Sequence, residues 1–191
     1  MPQASTPSPI RILAISGSLR AASSNRAVVE AARLLAPAGV EVTMYGGLGE
    51  LPHFNPDVEM GVLPSTVVEL RRAVGDADAL LVSSPEYAHG VPGSMKNALD
   101  WLVGGPEFVG KPVALVNASP RSVHAQTQLA ETVATMSGVL VHAASVALPL
   151  LGRNLDAAGI AADPELSATL AGALAALAEH VRHFPPPVFD R

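Results

Sequence analysis

Residues 10–25 read Ile10-Arg11-Ile12-Leu13-Ala14-Ile15-Ser16-Gly17-Ser18-Leu19-Arg20-Ala21-Ala22-Ser23-Ser24-Asn25. The first six are apolar apart from Arg11, which is the pattern of a short strand buried on both faces rather than one with a wet face. A loop of hydroxyls follows. Asn25 then opens a stretch in which Val28, Ala31, Ala32 and Leu35 recur at helical spacing, so a helix is expected over 25–35. A strand, a serine-rich turn and a helix in that order leave free N–H groups at the helix start, where the dipole favours an anion. Ser16, Ser18, Ser23, Ser24 and Asn25 add side-chain donors, Arg20 or Arg26 adds charge, and Gly17 allows a tight turn. The loop has neither G-x-G-x-x-G nor Gly-Lys-Ser/Thr, which argues against a dinucleotide-binding first turn and against nucleoside triphosphate hydrolysis. The plainer alternative is a serine loop in which Ser24 or Asn25 merely caps the helix.

The same alternation continues downstream. Further buried strands are expected at 40–45, 79–83, 113–117 and about 139–144. Helices are expected at 65–74 with Ser65 as N-cap, 94–103, 123–136 and 164–183. Strands alternating with helices predict an α/β domain, a parallel sheet covered on both faces and joined by right-handed crossovers. The two common solutions are a flavodoxin-like three-layer sandwich of strand order 2-1-3-4-5 and the dinucleotide-binding order. In the first, the switch point lies between strands 1 and 3, so the loops after Ile15 and Val82 are where a ligand is expected. The Gly- and Pro-rich stretch 46–64 is long for a compact domain and suggests a roof over the site or a reach to a neighbouring subunit.

Composition narrows the function classes. The 191 residues, 49% hydrophobic and 15% charged, suit one core-rich domain over 10–184. A net charge of −5 without a basic stripe argues against a nucleic-acid partner. The chain has no cysteine, which rules out disulfides and thiol chemistry and fits a reducing, cytoplasmic setting. No run approaches the roughly 18 apolar residues of a membrane span. Residues 1–9, with three prolines, read as a disordered leader, and 185–191 as an extended tail.

The loop after the third expected strand reads Ser83-Ser84-Pro85-Glu86-Tyr87-Ala88-His89-Gly90-Val91-Pro92-Gly93-Ser94-Met95-Lys96-Asn97-Ala98-Leu99-Asp100-Trp101. Its prolines and glycines set an unusual backbone path that can present N–H groups to a planar ring, and Tyr87 offers an amphipathic face. Pro-Glu-Tyr, then Pro-Gly, then Lys-Asn-Ala-Leu-Asp-Trp resembles the hallmark of the NADPH-dependent FMN reductase family, which includes quinone, chromate and azo-dye reductases. Gly17-Ser18-Leu19-Arg20 with the later Ser and Asn resembles that family's phosphate loop, and Asn117-Ala118-Ser119-Pro120 its further flavin loop. The resemblance runs from Ile10 to about Leu148. It implies a flavodoxin-like fold, non-covalent FMN, NADPH or NADH as hydride donor, a small-molecule electron acceptor, and a homodimer or homotetramer. Carried onto this chain, Ser16, Ser18, Arg20, Ser23, Ser24 and Asn25 would hold phosphate. Pro85, Glu86 and Tyr87 would border the isoalloxazine ring, and Ser119 would lie near its far edge. Two departures stand out. Ala88 occupies a position where many members have Asn, and Arg121-Ser122-Val123-His124 replaces a glycine-rich turn. Arg121 is then left three places: the reduced flavin, the NADPH phosphate, or solvent.

Other residues have plainer readings. Trp101 suits core or interface packing, and Lys96 with Asp100 is a solvated i, i+4 pair. His89 and His124 read as polar loop contacts, with proton donation to a quinone as the sharper alternative. Sequence spacing offers no metal-ligand set. Two other functions stay open: an electron carrier of the flavodoxin type without its own NAD(P)H reaction, and a sensor that kept the fold without flavin. The first is disfavoured by the Gly-Ser-Leu-Arg pattern and the mild charge, the second by the serine and asparagine loop.

Overall fold

A computed structural model describes residues 8–187. The expected leader falls outside the described residues except for 8 and 9, and the tail except for 185–187. The chain runs β1 (Ile10–Ser16), α1 (Ser24–Leu34), β2 (Val40–Tyr45), α2 (Pro56–Glu59), α3 (Ser65–Asp76), β3 (Ala79–Ser83) and α4 (Gly93–Val103). It continues through β4 (Pro112–Asn117), α5 (Val123–Thr135), β5 (Val139–Leu140), β6 (Val146–Ala147), α6 (Ala157–Ala162) and α7 (Pro164–His183). The sheet is parallel, as the alternating pattern predicts, and of the two orders left open it takes the flavodoxin-like one, β2-β1-β3-β4-β5; β6 also pairs with β4. The inner strands β1, β3 and β4 alternate between two apolar layers, whereas the edge strand β2, expected as a buried run, exposes Glu41 and Thr43. Ile12 and Ala14 of β1 pack with Val28 of α1 and Leu170 and Leu174 of α7. Leu13 and Ile15 point the other way, onto Leu70 of α3, Leu102 of α4 and Leu129 of α5.

The expected continuous fifth strand over 139–144 is instead two short pieces separated by a 3-10 turn, His142–Ala144. At the break, a side chain replaces the ladder. The Leu115 amide donates to Ser145 Oγ at 3.1 Å, and that hydroxyl donates to the Val141 carbonyl at 3.1 Å. A serine can therefore interrupt an edge strand without orphaning the central strand beside it. Ser65 does not cap α3: it is the first helical residue, and Pro64 stands at the cap with no side-chain hydrogen bond.

The stretch 46–64 is neither structureless nor a roof over the site within this chain. It holds a 3-10 turn (Gly47–Glu50) and α2, and it lies on α4. Leu48 and Leu51 enter the core, and Phe54 meets Trp101 edge-on at 5.0 Å. The Pro52 carbonyl accepts from Trp101 Nε1 at 2.8 Å and from Asn97 Nδ2 at 2.9 Å. Trp101 is thus fully buried as a packing residue with its N–H satisfied. Arg71 of α3 is tucked in, its side chain 14% exposed. It pairs with Glu59 at 2.6 Å and donates twice to the Trp101 carbonyl, at 2.9 and 3.0 Å, fastening α2 to the end of α4.

At the amino-terminal edge of the sheet, Lys111 is buried and its Nζ donates to the Ala77 carbonyl at 2.6 Å. Burial pushes its pKa down, against the pull of Asp78. The carboxyl-terminal edge is where the chain leaves a cleft.

Candidate flavin site

The cleft opens at the switch point between β1 and β3 and has a volume of about 490 Å³. Loops after four strands line it. Ser18, Arg20, Ser23, Ser24 and Asn25 come from the loop after β1 and the start of α1. Pro85, Glu86 and Tyr87 follow β3, Ser119 and Ser122 follow β4, and 150–156 follow β6.

Gly17 explains how the first two walls approach. Its amide donates to the Ser83 carbonyl at 2.8 Å. A Cβ on Gly17 would overlap Ser84 Oγ and stand 2.7 Å from Ser84 Cβ and 3.1 Å from its Cα. The glycines with left-handed backbone are Gly39, Gly110 and Gly152, so Gly17 serves close approach rather than an unusual turn.

The anion end is built by α1. Ser23 is its N-cap residue but makes no side-chain capping bond. The first intrahelical donor is Ala27, which bonds the Ser23 carbonyl at 2.9 Å. Among the described residues, no acceptor takes the amides of Ser24, Asn25 or Arg26. A plain capping serine would occupy them. Asn25 is buried, and its Oδ1 accepts from the buried Ser83 hydroxyl at 3.0 Å, which turns its NH2 away from β3. Arg26 pairs with Glu30 at 2.8 Å. Arg20 is exposed on the cleft, and no carboxylate pairs with it among the described residues.

Two expected site residues do not line the cleft. Ser16 ends β1, and its hydroxyl turns back on the Ser18 amide and carbonyl, at 3.3 and 3.4 Å, so it shapes the loop. Arg121 is exposed in a turn in which Asn117 Oδ1 accepts from Ser119 at 3.0 Å and Ser119 Oγ from Arg121 at 3.3 Å. Ser119 itself does line the cleft.

The opposite wall, Leu150–Asp156, escaped the sequence reading. After β6, Leu148 and Leu150 donate to the carbonyls of Asn117 and Ala118 at 2.8 and 3.3 Å, carrying the chain along the strand ends. Gly152 and Asn154 then take left-handed conformations, with φ of +76° and +49°, and Asp156 caps α6 through Gly159. Gly152, Asn154 and Asp156 were the available signals of a turn followed by a helix.

A polarised helix start and an exposed tyrosine ring on one cleft suit a ligand with a phosphate and a planar ring system. The model of the NADPH-dependent FMN reductases matches residues 10–150. An NAD(P)H-dependent FMN reductase of Pseudomonas aeruginosa is 35% identical over 159 residues, covering 77% of this chain and 85% of that protein. This chain belongs to the NADPH-dependent FMN reductase family. A quinone reductase of Escherichia coli is 34% identical over 113 residues, 58% of this chain and 60% of that protein. Among solved structures, the flavoenzyme NAD(P)H:(acceptor) oxidoreductase FerB of Paracoccus denitrificans superposes with a TM-score of 0.81 at 26% identity, covering 92% of this chain and 99% of that one.

As an NADPH-dependent FMN reductase, the chain is an oxidoreductase whose redox group is FMN and whose donor is NAD(P)H. Its residues fit that group. The open amides of Ser24–Arg26 and the unpaired Arg20 suit a phosphate, and the cleft volume lies in the ordinary range for a ligand of this size, roughly 300–1,000 Å³.

Proposed function

We propose that this cleft holds FMN with its phosphate against the start of α1 and its ring beside Pro85–Tyr87, and that the enzyme reduces a small diffusible acceptor. The acceptor class is a quinone, azo compound, metal oxyanion or free flavin, and the quinone reductase relatives support a quinone. The observation that carries this reading is the set of uncapped α1 amides that share one cleft with an exposed tyrosine ring.

When bound, FMN would supply the redox chemistry between NAD(P)H and the acceptor. The protein's part is binding and orientation. Ser18, Ser23, Ser24 and Asn25 donate to phosphate oxygens, and the helix dipole and Arg20 balance their charge. Tyr87, 57% exposed, offers one flat face on which donor and acceptor can lie in turn. No side chain has to act as a nucleophile. Exposed apolar side chains on the α3–α4 side, among them Val68, Val103 and Val109, support a homodimer or homotetramer. A cytoplasmic setting agrees with the absence of cysteine. Among the described residues, no helix is long and apolar enough to cross a membrane.

The test is flavin absorbance of the purified protein, followed by NADPH and NADH oxidation with a panel of acceptors. Sustained turnover with a simple quinone is the expected result. A colourless protein that binds no added FMN refutes the reading, and a coloured one that never oxidises NAD(P)H makes it a carrier.

A further inference from the structure

Three metal-ligating side chains meet at the rim of the cleft, two from one loop and the third from a helix more distant in sequence. Glu86 and His89 come from the loop after β3, and His124 from the first turn of α5. One ligand atom of each lies within 4.8 Å of the others. The two imidazole rings are 4.5 Å apart between centroids, inclined at 52°. Both histidines are exposed, and among the described residues neither ring nitrogen has a hydrogen-bond partner.

The loop is held in this arrangement from both ends. Glu86 Oε2 accepts from the Ala125 amide at 2.9 Å, which fixes the carboxylate at the first turn of α5 and leaves Oε1 available. Val91 donates to Gln128 Oε1 at 3.1 Å, tying the far end of the loop to the same helix. Between these ties, Tyr87 and Gly90 exchange both backbone hydrogen bonds, at 2.9 and 3.0 Å. The turn they close has Ala88 and His89 at φ of +48° and +61°. Two successive left-handed residues with side chains are an unfavourable choice where Asn-Gly is usual. This turn holds His89 facing His124.

We propose that Glu86, His89 and His124 form a divalent transition-metal site that takes Zn²⁺, Ni²⁺ or Cu²⁺. Two imidazole nitrogens and one carboxylate oxygen suit these borderline cations, whereas Mg²⁺ and Ca²⁺ prefer all-oxygen sets. Ligands about 2.0–2.1 Å from a tetrahedral ion stand roughly 3.4 Å apart, and the two exposed imidazoles are free to rotate toward that spacing from the 4.8 Å within which the ligand atoms lie. The Glu86 charge offsets the positive end of α5, which by itself would repel a cation. Three protein ligands leave a position open to water or to an oxygen-bearing molecule, and Glu86 also lines the cleft. A metal here would therefore present an electrophile at the rim of the cleft. The site rests on these side chains and not on the flavin reading.

The experiment uses the full chain as purified, without an affinity tag, titrated calorimetrically with Zn²⁺ near neutral pH. One saturable ion per chain is expected. His89→Ala and His124→Ala should each weaken it about tenfold or more, and the double variant should lose it. Circular dichroism checks that the variants are folded. Copper binding by the wild type gives a readout that needs no variant: its electron paramagnetic resonance spectrum should carry superhyperfine structure from two nitrogens. No saturable binding, a double variant that binds as well as the wild type, or a copper spectrum without two nitrogen ligands overturns the proposal. Flavin absorbance of the same sample is read separately, so a colourless protein that binds Zn²⁺ through these residues sinks the flavin reading and leaves this one standing.

Discussion

Gly17→Ala tests whether the two walls of the cleft are held together by a contact that has no room for a methyl group. The new Cβ would overlap Ser84 Oγ and lie 2.7 Å from Ser84 Cβ, where carbons in contact stand about 3.5–4.0 Å apart. The loops after β1 and β3 must then separate by about 1 Å, straining the 2.8 Å hydrogen bond from Gly17 to the Ser83 carbonyl. Overpacking of this kind costs about 1–3 kcal/mol. With a urea slope of about 2 kcal/mol/M, the unfolding midpoint should fall by roughly 0.5–1.5 M. The same movement pulls the phosphate end of the cleft away from the ring end, so FMN affinity should fall about tenfold or more, equivalent to about 1.4 kcal/mol. The geometry also specifies the rescue. Ser84→Ala removes Oγ but leaves the 2.7 Å clash with Cβ, so it should restore little. Ser84→Gly removes both atoms and leaves only the 3.1 Å approach to Cα, so it should restore most of the loss. A double-mutant cycle on urea midpoints, with flavin fluorescence quenching for affinity, gives the coupling. A Gly17→Ala protein as stable as the wild type, or an Ser84→Ala rescue equal to that by Ser84→Gly, would refute the close-approach argument.

Replacing Ser18 and Asn25 with alanine should weaken FMN binding about tenfold or more while the fold remains; unchanged affinity by fluorescence titration would move the phosphate elsewhere. Part of any stability loss in Asn25→Ala, about 1–3 kcal/mol, comes from the buried Ser83 hydroxyl left without its partner, so urea unfolding is read beside the affinity. Trp101→Phe deletes the 2.8 Å bond to the Pro52 carbonyl and should cost about 1–2 kcal/mol, with faster hydrogen exchange at the Phe54 amide; unaltered exchange there would mean that Trp101 does not anchor residues 52–54. Burial first, then Glu69 and Glu50, pushes the Tyr45 pKa up to about 12. The unfolded chain, with an ordinary tyrosine pKa of about 10, gives up that proton first. The stabilisation is therefore full below pH ~10 and is lost as pH rises toward the folded value. Urea midpoints of Tyr45→Phe should decline less steeply than those of the wild type above pH ~10, and parallel curves would rule this linkage out.

Several features were legible without coordinates. The buried runs of β1, β3 and β4, the helical spacing of 25–35 and the turn residues between them are local properties, set by period and propensity. Right-handed crossovers left two common strand orders; the missing G-x-G-x-x-G spoke against one and the family resemblance implied 2-1-3-4-5, from which the loops after Ile15 and Val82 followed. Ser23, Ser24 and Asn25 could therefore be placed at a helix start facing a switch point. Other features depend on what lies opposite. Whether a loop glycine serves a turn or a contact is decided by the atom it faces, here Ser84. Ser145 could be seen as a strand break only beside the Leu115 amide, and the stretch 46–64 as a packed segment only beneath Trp101 and Asn97. The wall at Leu150–Asp156 faces loops distant in sequence, and His124 meets Glu86 and His89 across such a distance. The physical reason is the same throughout: backbone period and helix polarity act over a few residues and are written along the chain, whereas steric exclusion, hydrogen-bond satisfaction and ligand geometry act across space and are decided only when the strands are laid side by side.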